Sequence, residues 1–345
     1  NAESARKTRS VLMLLGPLMH ELKSFDIPYA GGCKLGERTV SPHLLALEQF
    51  GVNVIAKTGR YDVTVKKKLP TDHVVLYEAG NTVTNNALMA AALSNGTTVI
   101  HGASADYMVQ DLCMFLKRLG VKISGIGSNL LTIEGVQQLN GTTHRILPDM
   151  IEIGSFIGLA AMTQSEIRIK DAGVQHLGII PDKFRLLGID MDIQGDDIFI
   201  PAQEDYEIQT YMDGGILTIY DNPWPGFTPD LLSIVLVTAT QARGSVLVHQ
   251  KMFESRLFFT DKLIDMGAQI ILCDPHRATV IGLGRKYPLR GITMSSPDIR
   301  AGQALLIAAL SAEGKSTIQN IEQIDRGYQY IDKRLQELGA DIKRV

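Results

Sequence analysis

The feature that most constrains the fold of this chain is an internal repeat. Five times, an apolar helix-like segment runs into a glycine and is followed by a short run of strand-forming residues. The glycines are Gly51, Gly120, Gly188, Gly267 and Gly339, at spacings of 69, 68, 79 and 72 residues. Glycine suits the left-handed conformation that ends many helices. We therefore predict repeated α/β units of about 70 residues, in the order helix, strand, strand, helix.

A domain boundary is predicted at Leu147-Pro148-Asp149, where a proline interrupts two apolar segments. Two repeat ends precede this point and three follow it. We expect a first domain at residues 1–147 with about two units, and a second domain at residues 148–345 with three. A length of 345 residues allows each domain a core of its own.

The composition excludes several classes of protein. Apolar residues make up 45% and charged residues 21%, which is ordinary for a globular enzyme and excludes wholesale disorder. The 34 Lys and Arg against 37 Asp and Glu give a net charge of −3, which does not favour binding to nucleic acid. No run of 18 apolar residues is present, so no membrane span is expected. The charged and apolar start, residues 6–19, imitates a signal peptide, but Gly16-Pro17 interrupts it, and we expect a cytoplasmic protein.

The three cysteines are widely spaced and lack a CxxC pattern, so we expect neither disulfides nor a zinc site. Cys33 lies in the glycine-rich segment 31–36 beside Lys34, and a neighbouring cation favours the reactive thiolate. From these residues alone, a functional and a structural role for Cys33 are equally supported. Cys113 falls in an amphipathic helix pattern and Cys273 ends an apolar strand pattern, so we expect both to be inert.

Arginines recur at expected turns or element ends, and each alone is well explained as a solvated surface residue. Arg300 follows Asp298 at the start of an apolar helix pattern, where backbone N–H groups and a guanidinium can bind phosphate or carboxylate together. Arg326 lies in a similar turn. Asp230 precedes another apolar helix pattern, and it is equally well explained as a helix cap or as a catalytic base.

Two other patterns predict turns. The segment 125–127 contains two glycines but precedes a strand pattern, which indicates a hairpin and not a dinucleotide site. The aspartates at 190–197 surround Gly195 and indicate a turn between strands and not a metal site. We expect no metal and no cofactor.

Five motifs together resemble the enolpyruvyl transferases, and the resemblance runs from Arg9 to the end of the chain. The motifs occupy residues 31–38, 225–230, 253–256, 298–301 and 324–328. The fold implied is α/β, an inside-out barrel in which each domain consists of βαβαββ-type units with helices inside and sheets outside. The activity implied is transfer of the enolpyruvyl group from phosphoenolpyruvate to the 3-hydroxyl of UDP-N-acetylglucosamine, with release of phosphate. This reaction is the first committed step of peptidoglycan synthesis, and the resemblance implies a monomer.

The resemblance also implies roles for individual residues. Cys33 matches the thiol that acts as general acid and that fosfomycin alkylates, and Asp230 matches the carboxylate beside the attacking hydroxyl, a position suited to a general base. Arg300 and Arg326 join them as catalytic residues, and Arg38, Arg256, Arg300 and Arg326 match positions that hold phosphoenolpyruvate. The implied substrate-binding set is Arg9, Arg38, Thr39, Val40, Ser41, Pro42, Glu78, Gly80, Asn81, Met252, Arg256 and Asp298.

Two departures leave alternatives open. Glu78 stands where many relatives have a lysine that contacts the nucleotide diphosphate, and Ala30 replaces a proline before the glycine pair. One alternative is a transferase that acts on shikimate 3-phosphate, which Cys33 argues against. Another is a catalytically dead relative that binds a nucleotide sugar, which Glu78 favours slightly but the complete set of Cys33, Asp230 and the arginines argues against.

The repeat also bears on the start of the chain. One mean spacing before Gly51 falls upstream of Asn1, and the resemblance implies three units in each domain. We therefore expect a fragment that lacks roughly 80 residues. Because uncovered apolar helix faces favour aggregation, we expect the chain alone to be poorly stable and nearly inactive.

Overall fold

The chain divides into two compact units, and among the described residues the division lies between Leu147 and Pro148. A computed structural model describes residues 2–29, 39–66, 72–253 and 256–345. Each unit has its own helices, sheets and buried core.

The described part of the first unit contains two sheets around helices. Its helices are α1 (Ala2–Lys7), α2 (Leu15–Glu21), α3 (Ser41–Glu48), α4 (Asn81–Ala92) and α5 (Tyr107–Arg118), with a 3-10 helix at Arg9–Leu14. Its strands are β1 (Ser24–Pro28), β2 (Val52–Lys57), β3 (Arg60–Val65), β4 (His73–Val75), β5 (Thr97–His101), β6 (Lys122–Ser124) and β7 (Leu130–Glu134). One sheet has the order β1-β3-β2 and is antiparallel. The other has the order β4-β5-β7-β6, in which β4 and β5 are parallel.

The second unit repeats this architecture. Its helices are α6 (Met150–Thr163), α7 (Ile180–Leu186), α8 (Leu232–Ala239), α9 (Thr260–Asp265), α10 (Ile299–Ser311), α11 (Glu322–Asp325) and α12 (Ile331–Glu337), with 3-10 helices at Val174–His176 and Pro229–Leu231. Its strands are β8 (Ile167–Ile169), β9 (Asp192–Gln194), β10 (Asp197–Ile200), β11 (Leu217–Tyr220), β12 (Ser245–His249), β13 (Gln269–Asp274), β14 (Arg277–Ile281), β15 (Thr293–Ser295) and β16 (Thr317–Gln319). The sheets are β8-β10-β9, β11-β12-β14-β13 and β15-β16. The second of these has the same order and strand directions as β4-β5-β7-β6.

Helices occupy the centre of the second unit. The whole of α8 and most of α6 and α10 are buried, and the three helices pack against one another. Their close approach depends on small residues, since a Cβ at Gly158 would lie 2.7 Å from both Ile234 Cγ2 and Thr238 Oγ1. Residues of β12 alternate between buried and half-buried positions, as expected for a sheet that covers a helical core. The predicted α/β class, with helices inside and sheets outside, is confirmed.

The five repeat glycines have the conformation that the sequence predicts. Their φ angles are 85° at Gly51, 106° at Gly120, 89° at Gly188, 105° at Gly267 and 98° at Gly339. A residue with a Cβ would be strained at such angles, so glycine ends these helices. The first four are followed by the antiparallel pairs β2–β3, β6–β7, β9–β10 and β13–β14. The prediction is wrong for Gly339, because residues 340–345 contain no strand.

Two predicted turns are confirmed. Residues 125–127 lie between β6 and β7, and Gly195 lies between β9 and β10. The fully buried residues on α5 include Val109, Cys113 and Leu116, whereas Leu112, Phe115 and Leu119 are half-buried. Cys273 ends an apolar strand pattern, yet it is exposed, and β13 is an edge strand of its sheet.

A buried side chain joins three helices of the first unit. Asn86 on α4 accepts the N–H of Gly16 on α2 at its Oδ1 (3.0 Å). Its Nδ2 donates to the carbonyl of Leu12 and to Nδ1 of His43 on α3, each at 2.8 Å. All hydrogen-bonding groups of the amide are thus satisfied, as a fully buried amide requires.

The segment that imitates a signal peptide is folded into this core. It forms the 3-10 helix and α2, and Leu12, Leu15 and Met19 are buried. Within the described ranges, no helix has the length and apolar character needed to cross a membrane.

Candidate active site

Asp230 lies in the short 3-10 helix that leads into α8. The hydroxyl of Thr228 accepts the N–H of Asp230 and caps this helix. The carboxylate of Asp230 makes its contacts with side chains instead, so the helix-cap interpretation of Asp230 is wrong.

Two arginines hold the carboxylate of Asp230. Nη1 of Arg256 lies 2.8 Å from Oδ1, and Nε of Arg300 lies 3.1 Å from Oδ2. The side chains of Arg256 and Arg300 are 11% and 18% exposed, so these charge-assisted bonds are largely shielded from water. The structure thus brings together three residues that are far apart in the sequence.

The electrostatics of this cluster keep Asp230 ionised. Burial acts to raise the pKa of Asp230, but the charges of Arg256 and Arg300, and their hydrogen bonds, outweigh it and lower the pKa. Burial likewise opposes the charge on Arg300, yet Asp230 and Tyr328 raise the pKa of its guanidinium above the usual value. Both groups are therefore charged at neutral pH.

The same arginines retain hydrogen-bonding capacity. Nε of Arg256 and Nη1 of Arg300 are buried, and neither has a hydrogen-bond partner among the described residues. Both arginines line a small cavity of about 10 Å³ with Ser233, Gln250 and Asp298. Buried donors without partners are costly, so this cluster is suited to an anionic ligand that accepts from them.

Arg300 is fixed from both its backbone and its side chain. The N–H groups of Arg300 and Ala301 donate to Oδ1 of Asp298, which caps α10. The guanidinium carbon lies 5.6 Å from the ring centre of Tyr328, whose hydroxyl lies 2.8 Å from Oγ of Ser155 in the helical core. Burial raises the pKa of Tyr328, so its phenol is protonated and neutral.

Arg326 ends α11, where its exposed side chain donates to Oε1 of Gln323 (3.1 Å). The next residue packs tightly on the Arg300 segment. A Cβ at Gly327 would lie 2.4 Å from Ile299 Cγ2 and 3.4 Å from Arg300 Nη1. The backbone beside Arg326 is therefore in contact with the Arg300 region, while the Arg326 guanidinium extends to the surface.

A second group of expected binding residues lies in the first unit. Nη2 of Arg9 donates to the carbonyl of Thr39 (2.7 Å), and the hydroxyl of Thr39 bonds that of Ser41 (2.8 Å) at the start of α3. Val40 is the N-cap of α3, and Pro42 occupies its first turn. The expected residues 39–42 thus form one helix start that is held by Arg9.

The start of α4 lies beside the start of α3. Gly80 is the N-cap of α4, and Oδ1 of Asn81 accepts from the hydroxyl of Ser104 (2.6 Å). Nε2 of His43 lies 3.3 Å from Oγ1 of Thr82 and links the two helix starts. Two adjacent helix N-termini favour negative charge. Glu78 is exposed next to them, and its negative charge would repel an anionic ligand bound there.

Of the remaining expected residues, some lie within the described part of the chain and some outside it. Met252 is 40% exposed, and its N–H donates to Asp221. Cys33 and Arg38 lie outside the described residues. Sequence reasoning missed Asp221, His43 and Tyr328; only Tyr328 had a signal, since it ends one of the motifs.

Comparison with known proteins identifies the class. Residues 3–335 match the sequence profile of the EPSP synthase family, described as 3-phosphoshikimate 1-carboxyvinyltransferase, and the chain belongs to this family. The enolpyruvyl transferase NikO from Streptomyces tendae has a similar fold, with a TM-score of 0.81 and 22% identity over 96% of this chain and 76% of that one. EPSP synthase from Acinetobacter baumannii gives a TM-score of 0.70 at 17% identity, over 96% of this chain and 77% of that one.

Higher identity is found to curated proteins with a single name, UDP-N-acetylglucosamine 1-carboxyvinyltransferase. The protein of Bacteroides thetaiotaomicron is 58% identical over 98% of this chain and 78% of its own length. That of Porphyromonas gingivalis is 58% identical over 99% of this chain and 79% of its own length. That of Bradyrhizobium diazoefficiens is 49% identical over 98% of this chain and 78% of its own length.

Proposed function

We propose that this chain transfers the enolpyruvyl group of phosphoenolpyruvate to the 3-hydroxyl of UDP-N-acetylglucosamine and releases phosphate. The observation that carries the proposal is the half-buried carboxylate of Asp230 between Arg256 and Arg300, which combines a base with unsatisfied donors to an anion. The names of the relatives at 58% identity favour the UDP-sugar over shikimate 3-phosphate as acceptor.

Arg256 and Arg300 are proposed to bind phosphoenolpyruvate. Their unpartnered N–H groups offer two donors to its carboxylate or phosphate oxygens. Arg326 is proposed to add a third guanidinium, because its backbone neighbour packs against the Arg300 segment. Arg38 has the same proposed role on the basis of the sequence resemblance alone.

Asp230 is proposed to accept the proton of the attacking hydroxyl. Burial acts to raise its pKa, but Arg256 and Arg300 lower it, so the carboxylate is ionised and can accept a proton. An anion bound to Arg256 and Arg300 offsets their charges, and this raises the basicity of Asp230 in the complex. The base thus becomes stronger when the substrate is present.

The reaction then proceeds by addition and elimination. The sugar oxygen bonds to C2 of phosphoenolpyruvate, its proton passes to Asp230, and Cys33 is proposed to deliver a proton to C3. In the elimination, the thiolate left on Cys33 is proposed to take a proton back from C3, and cleavage of the bond between C2 and the phosphate oxygen then restores the double bond and releases phosphate. Asp230 at the sugar oxygen and Cys33 at C3 thus account for all three proton transfers.

The adjacent starts of α3 and α4 are proposed to bind the nucleotide sugar. Residues 39–42 and 80–81 present two helix N-termini, and Arg9 adds a guanidinium beside them. Met252 and Asp298 are assigned to substrate binding on the basis of the sequence resemblance alone. We place the reaction in the cytoplasm, where phosphoenolpyruvate and UDP-sugars are formed, and the expectation of a monomer stays a prediction.

Phosphate release tests the proposal. The purified chain is incubated with phosphoenolpyruvate and either UDP-N-acetylglucosamine or shikimate 3-phosphate, and phosphate is measured over time. We expect slow release, and only with the UDP-sugar, together with a product that carries one enolpyruvyl group by mass spectrometry. Release with shikimate 3-phosphate would support the alternative transferase, and binding of the UDP-sugar without release would support a catalytically dead relative.

A further inference from the structure

Asp221 is a buried carboxylate outside the set of residues that the reaction uses. It follows β11 directly and has no exposed surface. Its Oδ1 accepts the N–H of Lys251 (2.5 Å), and its Oδ2 accepts the N–H of Met252 (3.1 Å) and Nε2 of Gln250 (2.7 Å). Burial of an ionised carboxylate is costly, and three donors compensate for that cost.

The partners of Asp221 begin the segment that leads to Arg256. Parallel pairing of β11 and β12 aligns Tyr220 with His249, so Asp221 and Gln250 both lie just beyond the ends of neighbouring strands. The chain continues from Met252 through Phe253, whose ring lies 4.7 Å from the guanidinium carbon of Arg256.

Asp221 also begins the segment that leads to Asp230. The next residue, Asn222, donates its N–H to the carbonyl of Phe227 (3.0 Å) and closes a loop that contains Trp224. The loop ends at Thr228, which caps the helix of Asp230. Asp221 therefore joins two loops, one of which carries Asp230 and the other Arg256.

We infer that Asp221 is a positioning residue that holds these two loops together and thereby sets the ion pair of Asp230 with Arg256. The kinetic part of this inference rests on the proposed function. A carboxylate suits the position because it only accepts hydrogen bonds, and the three groups directed at it only donate.

The same contact orients Gln250. Because Nε2 donates to Asp221, the other amide atom is the acceptor Oε1, which is buried without a hydrogen-bond partner among the described residues. Gln250 lines the cavity that Arg256 and Arg300 also line. Asp221 thus also sets the orientation of the Gln250 amide, in which the acceptor Oε1 and not the donor Nε2 is left without a partner among the described residues.

The test compares Asp221→Asn with a matched control. Asp213→Asn removes an exposed carboxylate that accepts one N–H, from Gly215, in a surface turn just before β11. Two readouts are measured: kcat and KM for phosphoenolpyruvate, and the emission of Trp224, the single tryptophan of the chain. The emission reports the loop without requiring turnover.

We expect Asp221→Asn to lower kcat/KM for phosphoenolpyruvate at least tenfold and to shift the Trp224 emission, while Asp213→Asn changes neither. The double variant Asp221→Asn with Gln250→Glu should recover part of the emission shift, because the new amide can donate to the new carboxylate. Its kcat/KM should stay low, because the new carboxylate adds negative charge to the cavity that Arg256 and Arg300 line. Recovery by a reversed pair would not follow from a merely destabilising substitution.

Unchanged kinetics and emission in Asp221→Asn would overturn the inference, as would equal emission shifts in the single and double variants. Failure of both variants to fold would assign Asp221 to core stability and would also overturn it. If the unsubstituted protein releases no phosphate, the proposed function fails. The emission shift and its recovery still decide the role of Asp221 in that case.

Discussion

The proposed chemistry depends most on the carboxylate group of Asp230. We expect Asp230→Asn to lower kcat by about 10²–10⁴-fold, the usual contribution of a general base. The amide retains the shape but cannot accept a proton. Steady-state phosphate release is the measurement, with Asp274→Asn as a control because Asp274 is ion-paired with Arg277 on the surface. A variant with normal kcat would show that Asp230 is not the base.

The three cysteines differ in a way that fosfomycin can reveal. Cys113 is buried, and burial raises the pKa of its thiol to about 12, so it is unreactive. Cys273 is exposed and is the internal competitor. We expect peptide mapping after fosfomycin treatment to find the adduct on Cys33, and a Cys33→Ser variant to remain unmodified. An adduct on Cys273 would contradict the proposed role of Cys33.

Individual residues were predictable from sequence only where a motif surrounds them. Arg300 and Asp230 belong to motifs that the family resemblance carries, and the structure brings them to 3.1 Å. Asp221 has no such motif, since its role depends on donors that lie about 30 residues away, just beyond the end of a neighbouring strand. Local sequence does not encode that proximity, which arises from parallel pairing of strands.

At the scale of elements, the contacts among α2, α3 and α4 predict how the stability of the fold depends on pH. His43 is buried there, and Nδ1 accepts from Asn86, whose other amide groups are already used. Burial, with the charge of Arg9 second, lowers the pKa of His43 to about 4. The unfolded chain therefore binds more protons between pH 6.5 and 4, so stability is complete above this window and falls as the pH falls through it.

Urea unfolding of the wild type and of His43→Gln, at pH 7 and at pH 4.5, measures this effect. The shift corresponds to about 3 kcal/mol of unfolding free energy, which only the wild type loses on acidification. The advantage of the wild type over the variant should therefore shrink by roughly 2–3 kcal/mol at pH 4.5. A constant difference would show that His43 titrates normally.

The elements themselves were only partly predictable. Helix ends at the repeat glycines could be predicted because a positive φ is a local property, as Gly120 and Gly267 show. The exposure of Cys273 could not, because whether a strand lies at the edge of a sheet depends on which strands pair. In β13 both Ile271 and Leu272 are exposed, so the apolar composition of this strand does not predict which of its residues are buried.

For the whole molecule, the prediction concerns the autonomy of the second unit. The buried helices α6, α8 and α10 supply it with a core of its own, so residues 148–345 produced alone should unfold cooperatively. Calorimetry and the Trp224 emission measure this. The control is Gly158→Val in the same fragment, which should lower the transition temperature, since even a Cβ meets Ile234 at 2.7 Å. A non-cooperative transition in the unsubstituted fragment would contradict the prediction.

The tight packing of Gly327 also limits how this protein can evolve. Every amino-acid replacement of a glycine adds at least a Cβ, and at this position the atom would lie 2.4 Å from the side chain of Ile299. The displaced segment carries Arg300, so a single missense mutation here would disturb the anion-binding cluster whichever residue it introduced. Resistance to an inhibitor that contacts this backbone could not readily arise by substitution of Gly327, because every substitution would clash with Ile299 and disturb the anion-binding cluster.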